Sequence, residues 1–259
     1  MSSAPQVTRI RHEIRRRVLD VARVERIAPQ MVRVVLTGPA LEGFTSLGFD
    51  DHVKLFFPPQ PSNGAPVAAD ATPEARDFTP RHYDAGRGEL WIDFFLHEAG
   101  PATSWASGAS PGDTLEIGGP KGSAVLSPDG IDLLLMVGDE TAIPAIARRL
   151  AELPAGARAL VVAEVDKVEG WPAFSSAAQF DVIWVPRGTS NEPAGALIER
   201  LRTVQLPATG CFVWVALESQ AARTLRRYFT TERGVAKEWI KASAYWQRGD
   251  IGKHERIED

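Results

Sequence analysis

The chain has little of what most often betrays a catalytic class. A single cysteine, Cys211, excludes an intramolecular disulfide. It sits in "GCFVWVAL", which reads as a buried strand, so a packed thiol is expected there and not a reactive one. Five histidines (His12, His52, His82, His97 and His254) show no metal-ligand spacing. There is no G-x-S-x-G elbow, no H-E-x-x-H and no phosphate loop of the G-x-x-x-x-G-K type. Nucleophilic and metal-dependent hydrolysis therefore have no candidate groups. The longest strongly apolar run, "IDLLLMVG", falls far short of the roughly 20 residues a membrane helix needs, so no membrane insertion is expected. No apolar segment follows the basic "RIRHEIRRR", so a secretory leader is not expected. A net charge of -4 argues against general nucleic-acid binding. These absences point to a cytoplasmic protein, with a monomer as the default state.

What is present falls into two textures. The 259 residues, 44% of them hydrophobic, suffice for one large domain or two ordinary ones. From about residue 16 to 127 the chain reads as strands and turns. "RRVLDVARVERI", "MVRVVLTG", "HVKLFFP", "ELWIDFFLH" and "DTLEIGGP" follow or approach an apolar–polar alternation with period two. "TGPALEGF", "AGRGE", "SPGD" and "GPKGS" separate them as turns. That spacing predicts a small antiparallel β-barrel. Within it, residues 58–75 read as a loop, and "GPATSWASGA" as a short helical turn opened by Thr103 or Ser104.

From about residue 128 strands alternate with helices. "IDLLLMVGD", "ARALVVAEV", "FDVIWVPRG" and "CFVWVALE" are near-continuous apolar strands. "TAIPAIARRLAEL", "GALIERLRTV" and "SQAARTLRRYFTTER" read as helices. This predicts a doubly wound parallel sheet covered on both faces. The expected division is 1–127 and 128–259.

Four stretches carry candidate chemistry, and each also has a plain structural reading. In "MVGDETAIPAI", Gly138 permits close backbone approach and Thr141 can cap the following helix. The turn is either a nucleotide site at a strand end or an ordinary connector. In "LHEAGPATSWASGASPGD", His97 ends a strand and residues 102–106 open a turn whose free N–H groups can hold a pyrophosphate. The alternative is a connector with Trp105 in the core. In "RDFTPRHYD", Phe78 and Thr79 can meet a flat ring while Arg76 takes a phosphate, or the stretch is a solvated edge strand. In "ASAYWQRGD", Tyr245 and Trp246 either close over a ring or anchor a terminal segment.

In this order and spacing the stretches resemble the siderophore-interacting protein family, the FAD-dependent ferric-siderophore reductases of the ferredoxin reductase-like superfamily. The resemblance runs over nearly the whole chain, from "VARVERIAPQMVRVVLTGPALEGF" through "DDHVKLFFP", "RDFTPRHYD", "ELWIDFFLHEAGPATSWA", "PGDTLEIGGPKGS", "GDETAIPAI" and "FVWVALES" to "AYWQRG". It implies an FAD-binding barrel followed by a domain for NADPH or NADH. The family's R-x-Y-T-x-R pattern falls on Arg76, Phe78, Thr79 and Arg81, with Phe78 in place of the usual tyrosine. By resemblance, Arg76 serves the FAD phosphates, Phe78 and Thr79 line the isoalloxazine, and Thr79 lies near its N5 edge. His97, Gly100, Pro101, Ala102, Thr103, Ser104, Trp105 and Ala106 match the segment that holds the FAD diphosphate and adenosine. Gly138, Asp139, Glu140, Thr141 and Ala142 match the pyridine nucleotide segment.

Lys54, Lys121 and Arg248 match the cations that receive an anionic ferric siderophore. Two further departures are Leu217 in "ALES" and Ala244 in "AYW", each standing where the family keeps glycine. Leu217 is therefore expected to crowd the nicotinamide. Glu164 at the end of "ALVVAEV" suits a free ribose 2′-hydroxyl, whereas Arg187 or Arg223 would suit a 2′-phosphate. The reaction implied is electron transfer from the nicotinamide through flavin to ferric iron, with no side chain acting as acid or base. A non-reductive siderophore-binding protein and a reductase fed by ferredoxin are the alternatives.

Overall fold

A computed structural model describes residues 4–59, 72–97, 100–188, 192–249 and 255–257. Most of the proline-rich stretch expected as a loop, residues 60–71, lies outside them, as does His254. The chain divides into two units, Arg9–Val125 and Met1–Thr8 with Leu126–Asp259.

The first unit is a curled antiparallel sheet. Its strands are β1 (Val7–Arg11), β2 (Arg16–Ala28), β3 (Met31–Thr37), β4 (Val53–Phe57), β5 (Glu74–Phe78), β6 (Pro80–Asp84) and β7 (Glu89–Phe95). Helix α1 (Pro101–Gly108) follows, then β8 (Thr114–Gly118) and β9 (Gly122–Leu126). Seven strands pair in the order β5-β4-β8-β2-β3-β7-β6, and β1 with β9 forms a separate ribbon. The two edges of the seven-stranded sheet, β5 and β6, are joined by the single residue Thr79. A flat sheet of that order would hold its edges several strand spacings apart, so the sheet curls until they nearly meet. Pro80, which has no N–H to give a ladder, opens β6, as proline does on an edge. Alternation then fills the inside. Leu19, Val34, Leu36, Leu55, Phe57, Leu90, Ile92, Leu115 and Ile117 are buried there, each contributing about 1.5–3 kcal/mol by leaving water.

The second unit holds β10 (Leu133–Gly138), α2 (Ile143–Glu152), β11 (Arg158–Val165), β12 (Gln179–Pro186), α3 (Gly195–Arg202), β13 (Cys211–Glu218), α4 (Ser219–Arg227), β14 (Ile240–Trp246) and β15 (Glu255–Arg256). The sheet order is β12-β11-β10-β13-β14-β15. All pairs are parallel except β14 with β15. The order reverses between β10 and β13, the switch point at which open parallel sheets bind ligands. The β11–β12 connection carries Trp171, which stacks on Trp184 with ring centroids 5.6 Å apart, and Phe174, whose ring is tilted against Trp184 at 5.9 Å.

Several local expectations change. The "AYW" segment, expected to close over a ring or to anchor a terminal segment, is the end of a largely buried parallel strand, β14. The last long helix is shorter than expected, because α4 stops at Arg227 and Tyr228–Glu232 form a π turn. Gly100, not Thr103 or Ser104, caps α1. Gly138 is required by packing: a Cβ there would lie 2.5 Å from Ala142 Cβ and 2.9 Å from the Ala216 carbonyl. Cys211 is buried, and burial pushes its thiol up to about 11, so it remains a protonated core residue.

Candidate functional site

In the barrel unit the register of β5 on β4 decides what each residue of "RDFTPRHYD" can reach. Val53 pairs with Phe78, Leu55 with Arg76, and Phe57 with Glu74. Directly paired residues point to the same face. Val53, Leu55 and Phe57 are fully buried, so Phe78 and Arg76 stand on the inner face, two residues apart. Both nevertheless remain only half-buried, which leaves this part of the inner face open. The Arg76 guanidinium donates to Glu74 Oε2 at 2.7 Å and to the Ala75 carbonyl at 2.9 Å.

Phe78 and Trp105, far apart in sequence, pack against the same two rings. Phe78 lies 4.6 Å from Phe94 and 6.1 Å from Phe57, centroid to centroid, and Trp105 lies 5.8 and 5.9 Å from the same two rings. Trp105 and Ala106 are buried beneath α1. Pro101 occupies the first turn of α1, no acidic residue stands there, and no side chain caps it. The first intrahelical bond runs from Ser104 N to Gly100 O, at 2.8 Å, so the N–H groups of Ala102 and Thr103 precede it and, among the described residues, are open to an anion. His97 is exposed, and its Cε1 lies 4.0 Å from where a Cβ of Gly100 would stand. Thr79 is buried where the chain crosses from β5 to β6. Arg81 falls at a register shift of β6 on β7, with Nε 3.9 Å from Asp93 Oδ2.

The three expected substrate cations are placed differently. Lys54 points to the opposite face of β4 from Leu55 and its partner Arg76, and its Nζ pairs with Asp77 Oδ1 at 2.9 Å. The structure therefore does not bring it onto the face of Arg76 and Phe78. Lys121 is exposed just beyond β8, whose Gly118 pairs with Lys54. Arg248 is exposed in the other unit, where its N–H donates to Glu218 Oε1 at 3.3 Å.

In the parallel-sheet unit the matching turn after β10 is tightly packed. Asp139 is buried and accepts from Thr141 N and Oγ1 and from Trp246 Nε1, the last at 2.7 Å. Asp139 thus caps the short turn Glu140–Ala142, while α2, which Thr141 was expected to cap, has no side-chain cap. The same bond fixes Trp246, whose indole would otherwise be free to close over a ring. Glu140 and Ala142 are buried too, leaving Thr141 as the partly exposed side chain of this turn. Tyr245 is the extra residue of a bulge, since Leu217 pairs with Ala244 but Glu218 with Trp246, and its ring meets Trp214 edge-on at 6.1 Å. Leu217 and Ala244 are cross-strand partners within the core. The Leu217 side chain is spent on packing and does not stand out as the expected obstruction.

Arg187 departs most from expectation. It donates through Nε to Asp166 Oδ1, through Nη1 to Glu164 Oε2 at 2.9 Å, and through Nη2 to Glu140 Oε2. Glu140 Oε1 also accepts the Asp166 N–H at 2.7 Å. Burial pushes the Glu140 and Glu164 carboxyls above the usual range, against the pull of Arg187. Burial alone would lower the Arg187 pKa, but Asp166, Glu140 and Glu164 together raise it. The guanidinium expected to receive a 2′-phosphate is already enclosed. Asp166 was not among the sequence candidates. The signal was available: acids follow β10 and β11 at the strand ends, and an arginine follows β12. The other candidate, Arg223, lies on α4 beyond the switch point in strand order.

Comparison with known proteins places this geometry. The model of the siderophore-interacting FAD-binding domain matches residues 20–124, and that of the siderophore-interacting protein matches residues 131–249. The NADPH-dependent ferric-chelate reductase of Escherichia coli is 38% identical over 95% of this chain and 99% of its own length. The ferric vibriobactin reductase ViuB of Vibrio cholerae is 32% identical over 90% of each chain. Among solved structures, a siderophore utilization protein from T. fusca superposes with a TM-score of 0.84 at 34% identity, over 96% of this chain and 98% of that one. The chain belongs to the siderophore-interacting protein family.

Proposed function

We propose that this chain is a cytoplasmic, FAD-dependent reductase of ferric siderophores, drawing electrons from NADPH or NADH. The observation that carries this reading is the open inner face of β5, where a half-buried Phe78 backed by Phe57, Phe94 and Trp105 stands two residues from Arg76. The α1 N-terminus in the same unit, with no acid in its first turn and no side-chain cap among the described residues, suits a diphosphate. An aromatic wall, a cation and oriented backbone donors are what a flat, phosphate-bearing group needs, so the residues fit FAD.

In this reading Phe78 and Thr79 hold the ring, and Arg76 with the N–H groups of Ala102 and Thr103 holds the phosphates, beside His97. Arg76 exchanges its bond to Glu74 for a phosphate oxygen. The lost tyrosine hydroxyl at position 78 removes one hydrogen bond and keeps the stacking surface. Bound FAD supplies the change from a two-electron donor to one-electron reduction of iron. In the barrel unit Lys121, and Lys54 on the opposite face of β4 and tempered by Asp77, raise the local concentration of an anionic ferric complex; in the other unit Arg248 is the cation that serves it. No side chain transfers a proton to the siderophore.

The test is spectroscopic. Purified protein is expected to bind FAD and turn yellow. NADH or NADPH added without oxygen should bleach it, and ferric siderophore should restore the colour. Protein that takes up no FAD sinks the reading. Bleaching by reduced ferredoxin alone would change the donor and leave the reductase in place.

A further inference from the structure

The parallel-sheet unit ends in an unbalanced charge cluster. Glu140 follows β10, Glu164 and Asp166 lie at the end of β11, and Arg187 follows β12. Three parallel strands in register carry these residues to one edge of the sheet, the carboxyl end, where nucleotides bind in such folds. One positive charge faces three negative ones, and the buried Asp139 stands next to Glu140 in the chain. Each donor nitrogen of the Arg187 fork is bound to a different carboxylate.

We infer that this nucleotide site selects the free ribose of NADH against the 2′-phosphate of NADPH, and that the Glu140–Glu164–Asp166 clamp on Arg187 is the device that does so. The inference rests on the nicotinamide reading above and narrows it. An acid at the end of the second strand of a doubly wound sheet accepts a ribose 2′-hydroxyl, and Glu164 holds that position. A 2′-phosphate is close to a dianion at neutral pH. To use Arg187 it must first displace carboxylates, of which Glu140 is buried and Glu164 partly so, and leave them without their cation. The cost falls on the phosphate alone, because a hydroxyl leaves the clamp closed. Burial holds the Glu164 carboxyl up, and Asp139, Glu140 and Asp166 push it further. Added negative charge is therefore poorly tolerated at this edge. Lys167, next to Asp166, is exposed and offers one flexible charge where Arg187 would have offered a planar fork.

Binding to the full-length chain can be measured without any flavin chemistry. The probes are 5′-AMP and 2′,5′-ADP, which differ only in the 2′-phosphate, followed by calorimetry. The wild-type protein is expected to bind 5′-AMP at least about tenfold more tightly. Glu164→Gln keeps a hydrogen-bonding group and removes a charge, and should narrow that ratio severalfold by strengthening 2′,5′-ADP. Asp166→Asn, at a side chain 52% exposed, leaves folding intact and should narrow it less. Bleaching of the FAD-loaded protein by NADH and NADPH should follow the same order. Tighter wild-type binding of 2′,5′-ADP, or a ratio unmoved in both variants, overturns the inference and leaves the nicotinamide reading standing. If neither probe binds, the nicotinamide reading falls and this inference with it.

Discussion

On the barrel, one carboxylate lies between two arginines; at the end of the parallel sheet, one arginine lies among three carboxylates. Asp93 accepts from Arg33 at 2.7 and 2.9 Å and has Arg81 at 3.9 Å. Arg33 also lies over the Trp91 ring at 4.7 Å. That network is bidentate, aromatic-backed and nearly closed to water, which is the geometry in which an ion pair fixes a structure. The Arg187 network uses the same chemistry with the opposite imbalance. It stands at strand ends, where ligands bind, and its excess of negative charge remains after every donor is used. The difference separates a charge cluster that holds strands together from one that screens what may approach.

The sharpest way to break this contrast is Asp93→Ala. It leaves two arginines without their shared partner at a site 4% exposed, and should cost about 3–5 kcal/mol of stability. Urea unfolding followed by tryptophan fluorescence would read it, and a loss below 1 kcal/mol would show the pair to be peripheral. Arg187→Ala should cost less, roughly 1–2 kcal/mol, because that side chain is 36% exposed and water screens what remains. A larger loss at Arg187 than at Asp93 would invert the assignment of the two networks.

Much of this was legible in the sequence. Period-two alternation located β2, β3, β4, β7 and β8, and continuous apolar runs located β10 to β13, because each pattern follows from how many faces a strand buries. "RDFTPRHYD" concealed more. It reads as one strand, yet Thr79 divides it between opposite edges of the sheet; only the pairing partners, distant in sequence, determine that. β14 was missed because small residues such as Ala242, Ser243 and Ala244 give no bulky pattern, although their burial is nearly complete. Asp139 matches the pyridine nucleotide segment by position alone. Its carboxylate turns inward to cap its own turn and bind Trp246, a partner 107 residues away that no local rule supplies. The Arg187 clamp depends on register across three strands, so its parts were nameable singly and its closure was not.

The smallest effect is the most selective, because it has opposite signs in the two units. Glu89 on the barrel is pulled from 4.5 to about 2 by its hydrogen bonds to Arg23 and Trp91. A depressed folded pKa gives stability that is present above the unfolded value and lost as pH falls from about 4.5 towards 2. Asp139, Glu140 and Glu164 are raised by burial. Their folded state binds protons more readily than the unfolded chain, so stability falls as pH rises from their ordinary values through the raised ones. Mild acidification from neutrality should therefore firm the parallel-sheet unit before it loosens the barrel. Hydrogen exchange resolved by segment, corrected for intrinsic rates, reads the two units separately. Protection in β10 and β11 should rise as pH falls from neutrality towards the ordinary carboxylate range, whereas protection in β2 and β7 should hold there and fall only below about pH 4.5. Parallel curves for the two units would mean that the carboxylates around Arg187 are as well compensated as Glu89, and the charge imbalance on which the contrast rests would be gone.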